Sequence, residues 1–495
     1  MNKHRFLLLS LFFAFLFSGC DDFLERNPTG QAVSETFWKS EKDVTAALMG
    51  VYSRLYTAPF NQPFRVEVLS DNARPSQTWE TEYRDILLGI ITPTTGGPVS
   101  SWYSSMYTGI ASCNYFLENV DRVPEIDQNL KNRYIGEVKF LRAWFYFQLQ
   151  QTYGGVIVYE KMPIVDEAKI KQRTSEEVVS FIISDLDEAI PYLPDSKYSG
   201  RVVKNTALAL KAKTLLHAGQ WSAAAGAAQQ VIASGNCSLY PDYRGLFLRE
   251  AQQSNPDEIL FSSVYTLPNR YHTNGYFYIN GYTAPRQELL DAYLCIDGLP
   301  ISESPLFDPD DPYQNRDPRL LLTNNTTGIR IVNGQEYLNT NTWTGFFWRK
   351  CLEDDLVYFN QTLDRDDNDL IHLRYADVLL MYAEAQNEVS GPDASVYSAL
   401  NTIRDRAGMP HVQEGLSKEA MREMIRLERR VELAGEGNRW YDIRRWGIAN
   451  EVLSAVDEPG GGPGTLKMLP HQYVWPFPQT EIDLNPNLVQ NPGYN

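Results

Sequence analysis

Histidine and cysteine are scarce, 6 and 5 among 495 residues. The six histidines are scattered, and the chain holds no HExxH, GxSxG or Walker A motif. The familiar signatures of zinc proteolysis, serine acyl transfer and phosphate cradling are therefore missing. Cys113, Cys237, Cys295 and Cys351 lie far apart with no CxxC spacing, so neither a zinc site nor a redox motif is indicated. In an exported chain these four fit one or two disulfides or four buried free thiols. Basic residues are in deficit, 45 against 62 acids, for a formal charge of -17. Such a surface repels phosphate backbones, which excludes DNA and RNA as partners. Long apolar runs are missing too. Phe6 to Phe17, interrupted by Ser10, is the longest and is too short to span a bilayer.

That short run is informative where it stands. Lys3 and Arg5 precede it and Ser18-Gly19-Cys20 follows, the layout of a secretory signal. Small residues before a cysteine fit a lipoprotein peptidase, although Phe17 is bulkier than the aliphatic residue usual there. The reading is a signal peptide over 1–19, lipidation at Cys20, and a polar tether over 20–36 beginning Cys20-Asp21-Asp22. Residues 37–495 are then one folded domain held to a membrane by lipid.

Helical periodicity dominates that domain. Val44, Leu48, Val51 and Leu55 form a stripe over Glu41 to Tyr56, and similar spacing predicts helices over Ser101 to Val120 and Leu130 to Tyr153. Thr174-Ser175-Glu176-Glu177 is a capping-box sequence that opens another. Asn205 is placed to cap the helix that ends at Ala218. With Trp221 to Ala233 that helix makes a hairpin, in which Ala212 and Ala224 fall where tetratricopeptide repeats keep small residues. Lys211 stands where that repeat usually has an apolar residue, so a generic helical hairpin fits equally well. Further helices are expected over Ile371 to Val389, Ser395 to Ala407, Ser417 to Ala434 and Arg439 to Trp446. The class is all-α, with a helical core at about 101–235 and 371–447. Two loop-rich stretches, about 59–100 and 236–370, lack helical period, although Glu258 to Val264 and Gly275 to Ile279 read as strand-like. Long irregular segments in a compact fold are commonly functional.

Several segments carry a resemblance. Gly136-Glu137-Val138-Lys139-Phe140-Leu141-Arg142-Ala143-Trp144-Phe145 leads to Tyr153-Gly154-Gly155. Leu373-Arg374-Tyr375-Ala376-Asp377 and Ile403-Arg404-Asp405-Arg406-Ala407-Gly408 follow. Glu428-Arg429-Arg430-Val431-Glu432-Leu433, Arg439-Trp440-Tyr441-Asp442 and Trp475-Pro476-Phe477-Pro478 complete the order. Together with the lipoprotein box they are similar to the SusD/RagB family of surface nutrient-binding lipoproteins. The resemblance implies an all-helical SusD-like fold with tetratricopeptide-like hairpins and an irregular ligand-binding face. It implies partnership with a SusC-like TonB-dependent outer-membrane transporter, a place on the outer membrane facing the exterior, and binding without catalysis.

Aromatics make up 12% of the chain, with 29 Tyr, 22 Phe and 10 Trp. Sugar faces stack on Tyr and Trp while Asp, Asn and Arg take hydroxyls. Candidate ligand residues are Asp71, Asn72, Arg74, Trp79, Trp102, Tyr103, Tyr276, Tyr278, Trp343 and Trp348, within clusters that also hold Tyr83, Arg84, Tyr107, Tyr271, Tyr282, Phe346 and Phe347. The alternative for each is core filling under a long loop. The arginines and acids of 426–445 are so interleaved that they are expected to pair with one another. Asp364 to Asp369 begins like a calcium loop but has Asp369 where Gly is needed; a structural calcium and a solvated acidic loop both fit. No other cofactor is expected. The function expected is capture of oligosaccharide or polysaccharide for a SusC-like transporter, with peptide capture in the RagB manner as the alternative. A surface glycosidase and a ligand-free scaffold are the remaining readings.

Overall fold

The computed structural model describes residues 37–75, 81–164, 168–332, 334–338, 344–356, 365–458 and 461–494. Cys20 and its tether lie outside them. No helix among the described residues is long and apolar enough to cross a membrane.

The main helices are α1 (Glu41–Tyr52), α2 (Pro98–Asn119), α3 (Gln128–Tyr153), α4 (Ser175–Ala189), α5 (Lys204–His217), α6 (Trp221–Ala233), α7 (Tyr375–Ser390), α8 (Ala394–Ala407), α9 (Lys418–Glu432) and α10 (Arg439–Arg445). Their starts follow local chemistry. Asp127 accepts the Leu130 N–H at 2.9 Å, Ser417 accepts that of Ala420, and Thr174 and Glu177 form the expected reciprocal box. These caps satisfy backbone donors that the first helical turn leaves orphaned. The predicted stripe of α1 is buried, Leu55 included.

Consecutive helices pack as hairpins: α2 on α3, α3 on α4, α5 on α6, and α7 on α8, with α6 also lying against α7. Ala212 and Ala224 are fully enclosed in this stack, where a larger side chain would hold the helices apart. Lys211 points outward and pairs with Asp187 of α4, which explains the charge at an otherwise apolar repeat position. Asn205 is no cap. It sits inside α5 and donates to the Ser234 hydroxyl at 2.7 Å, tying the hairpin's two ends together.

Short strands supplement the helices: β1 (Ala73–Pro75), β2 (Ile259–Ser263), β3 (Thr283–Pro285), β4 (Asn324–Asn325), β5 (Ile329–Val332), β6 (Gln335–Leu338), β7 (Phe347–Trp348) and β8 (Leu370–Arg374). They pair antiparallel as β1–β3, β2–β8, β4–β7 and β5–β6. Two expectations are corrected here. Residues 370–374 form β8, in register with Ile259 and Phe261 of β2, so the helix begins only at Tyr375. Residues 274–279 are a short helix, with Tyr278 and Ile279 inward and Tyr276 and Phe277 at the surface. The three adjacent aromatics mimic a strand in sequence, but burial falls on a turn rather than on alternate residues. The four cysteines outside the signal region are free.

The interleaved charges of the C-terminal helices pair, as expected, but deep inside. Glu432 of α9 is completely buried. It meets Arg374 at 2.7 Å, Arg319 at 2.8 Å, and Arg406. Arg374 also reaches Glu258 at 2.8 Å and Glu436 at 2.7 Å. One turn back, Arg429 binds Asp377 and Asp442, and Asp377 also takes Lys213 of α5. This ladder locks β8, the α5–α6 hairpin and the C-terminal helices to one another. An isolated charge at such depth would be strongly unfavourable, and only mutual pairing makes it tolerable.

Candidate functional site

The loop-rich side is organised around β1, β3 and β7. Ala73 of β1 faces Pro285 of β3, and Pro75 faces Thr283. β3 packs on β7, and the short helix Asn274–Ile279 rests on both. This brings three distant parts of the chain to one face, and the structure sorts the expected ligand residues into two groups there.

Most of the expected ligand residues belong to the interior, which corrects the reading from composition. Asp71 is buried, its carboxylate gripped by Arg439 at 2.8 and 2.9 Å and by Arg430 at 2.9 Å. Burial alone would raise its pKa; the two guanidiniums override this and hold it well below the usual carboxylate range. Asn72 donates to Glu67 at 2.6 Å and accepts from Arg430 at 2.8 Å. Arg74 pairs with Glu458 at 3.0 Å. Trp102 is 2% exposed and lies in a triad of indoles, 4.9 Å from Trp475 and 5.9 Å from Trp440. Tyr103 is enclosed between Tyr107 and Tyr153. Tyr278 stands edge-on to Phe64 at 5.0 Å, and its burial raises its hydroxyl pKa. Trp348 is fully buried against Gly435, where an added Cβ would come within 3.2 Å of the indole. Gly435 also has φ +80°, so both space and backbone favour glycine there. None of these seven side chains offers a face to a ligand.

Trp79 and Trp343 lie outside the described residues. Tyr276 remains, beside Tyr282 of the same expected cluster and Phe277, which the sequence did not single out. Tyr276, Phe277 and Tyr282 are all half-exposed, with ring centres 4.9 to 6.2 Å apart. Phe277 is stacked on the buried Phe64, and the Arg65 guanidinium lies 5.6 Å from its ring. Tyr278, inward on the same turn, pins the short helix beneath the exposed rings. The result is a rigid apolar shelf of rings inclined at 48° to 89° to one another, with the Arg65 cation over Phe277. Phe277 was legible only as the middle of Tyr276-Phe277-Tyr278; Arg65 carried no signal. Farther along, Tyr271 is 41% exposed with the Arg365 guanidinium 4.4 Å over its ring.

The acidic loop keeps its carboxylates on protein partners. Asp366 accepts the Gly275 N–H at 3.0 Å, and Asp369 accepts from Ser262 and from the Tyr265 N–H. Asp367 lies 3.7 Å from Arg249. Among the described residues no group of three His, Cys, Asp or Glu side chains is arranged to hold a metal ion; Asp364 lies outside them.

Comparison with known proteins accounts for this arrangement. Residues 250–494 match the model of the SusD family, and residues 22–216 match a SusD-like model described as starch-binding associating with outer membrane. The SusD-like protein P2 of Formosa agariphila is 29% identical, with the whole of both chains aligned. The crystal structure of a SusD-like carbohydrate-binding protein from Bacteroides fragilis superposes with a TM-score of 0.82 at 26% identity, covering 92% of this chain and all of that one. A laminarin-binding SusD-like protein superposes with a TM-score of 0.70 at 25% identity, again covering 92% of this chain and all of that one. The two models share nearly the whole chain between them, and the helical-hairpin architecture is that of these relatives: the chain belongs to the SusD family.

Proposed function

We propose that the protein is a lipid-anchored, non-catalytic glycan receptor of the outer membrane that passes oligosaccharide to a SusC-like TonB-dependent transporter. The observation that carries this reading is the shelf of Tyr276, Phe277 and Tyr282 with Arg65 beside it. Fixed aromatic rings with a guanidinium beside them suit the apolar faces and vicinal hydroxyls of a pyranose. Trp79 and Trp343, which follow β1 and precede β7 in the sequence, are proposed as further ligand residues. The laminarin bound by one relative and the starch of the matched description support a neutral glucan as the ligand. Anchoring at Cys20 and passage to the transporter rest on the leader sequence and on the family.

Calorimetric titration of the mature chain with laminarihexaose, maltohexaose and a peptide digest tests this. Tyr276→Ala combined with Tyr282→Ala is expected to weaken glucan binding at the shelf by about tenfold or more, since each tenfold corresponds to about 1.4 kcal/mol of lost stacking. The melting temperature should barely move, because both rings are half-exposed. Heat with peptides alone would reverse the ligand class. Wild-type glucan affinity in the double variant would remove the shelf from the site.

A further inference from the structure

A second cavity system lies behind α1, lined by none of the shelf residues. A cleft of about 560 Å³ runs between Tyr52, Tyr56, Arg201, Asn269 and Arg270. It adjoins a lobe of about 230 Å³ bordered by Tyr198, Tyr265, Asp367 and Asp369. The two share Ser199, Gly200, Val264 and Thr266 as a common rib. The larger part is within the usual range of about 300–1,000 Å³ for small-ligand sites.

Its aromatic walls are fixed. The Tyr56 hydroxyl donates to the Val264 carbonyl at 2.8 Å, and the ring stands edge-on to Tyr265 at 5.2 Å. The Tyr52 hydroxyl donates to Glu137 at 2.7 Å and accepts the Val202 N–H. The turn opposite is closed by reciprocal 2.9 Å backbone bonds between Thr266 and Arg270, which lay the Arg270 guanidinium over the Tyr56 ring at 3.8 Å. Arg201 is neutralised by Glu137 at 2.7 Å. Arg270 is exposed, and no carboxylate among the described residues lies within ion-pair distance of it. Asp369, steadied by Ser262 and Tyr265, supplies an acceptor in the smaller lobe.

We propose that this cleft is a second saccharide-binding site, taking a neutral oligosaccharide end between the fixed tyrosines, with Arg270 and Asn269 as donors and Asp369 as acceptor. Donors and acceptors set on rigid rings match a hydroxyl-rich ligand. The carboxylates of the smaller lobe and the overall charge of -17 oppose an anionic one. The inference rests on the glycan reading above for its ligand class, but on different residues.

The test is a calorimetric titration of the mature protein and three variants with laminarihexaose and maltohexaose. Wild type is expected to bind with a stoichiometry of two. Arg270→Ala should weaken one of the two sites by about tenfold, the effect of losing a charge-assisted hydrogen bond, and leave the other unchanged. Ser199→Trp, an exposed lip residue whose indole would fill the cleft, should remove the same site and keep the wild-type melting temperature. The variant carrying Tyr276→Ala and Tyr282→Ala should lose the other site. A stoichiometry of one, indifferent to Arg270→Ala and Ser199→Trp, overturns the cleft and leaves the shelf standing. A single site lost with Arg270→Ala and retained in the double tyrosine variant overturns the shelf alone. Binding of peptides in the cleft overturns its assignment to sugar, and no heat with any glucan overturns both readings.

Discussion

Glu432→Ala is expected to lower the stability of the protein by about 3–5 kcal/mol, the cost of opening a buried ion pair from one side. Stabilities of folded domains are about 5–15 kcal/mol, so this single change removes a large share. The reason is geometric. The Glu432 carboxylate lies among three guanidiniums, of Arg319, Arg374 and Arg406, all with under a tenth of their side-chain surface exposed. Alanine leaves those cations sharing Glu258, Glu428, Glu436 and Asp317. Glu432→Gln keeps the shape and one acceptor oxygen, and should fall between wild type and alanine. Thermal melts at neutral pH check the series; a loss below about 1 kcal/mol for alanine would show that the remaining acids suffice.

The same ladder sets the response to acid. Burial alone would raise the Glu432 pKa, but the surrounding cations hold it far below its ordinary value, and Asp377 is drawn down to about 2 by Lys213 and Arg429. In the unfolded chain these acids titrate near 4. Below that pH the unfolded state binds more protons than the native one, so stability falls as pH drops. Their contribution is complete above about pH 4.5 and declines as the pH falls toward 2.

Trp102→Ala is expected to cost about 3–5 kcal/mol of stability through the cavity it leaves, while the protein that remains folded binds glucan as wild type does. This result would separate a core tryptophan from a ligand platform. Trp102 lies tilted against Trp475 and edge-on to Trp440, and the Arg444 guanidinium covers Trp440 at 4.1 Å. Its indole N–H has no hydrogen-bond partner among the described residues. Trp102→Phe therefore loses no hydrogen bond and should cost much less than alanine. Weakened affinity in folded Trp102→Ala protein would return the residue to the ligand face. Denaturation monitored alongside titration distinguishes the outcomes.

The fold was readable where local rules and tertiary packing agree. The α1 stripe, the Thr174 capping box, and Ala212 with Ala224 each follow from spacing alone. Residues 370–374 misled because Ile371 and Leu373 continue an apolar pattern into Tyr375, and only pairing with β2 makes them a strand. The site was less legible, since the same side chains serve cores and ligand shelves. Asp71, Asn72 and Arg74 have the polarity of a sugar site. Their partners Arg430, Arg439 and Glu458 lie more than 350 residues away in the chain, a distance that no local pattern spans. Tyr276 and Tyr278 differ only in which side of a six-residue helix they occupy.

That division within one turn has a further consequence. Tyr278 is anchored below the surface and Tyr276 and Phe277 ride above it, so foundation and display are assigned to neighbouring positions. A new side chain at 276 would alter the exposed surface of this turn without touching Tyr278 or the stacking of Phe277 on Phe64, which hold it in place. On the glycan reading proposed above, preference for one sugar over another would be rewritten at this one position while the helical frame beneath is left as it is.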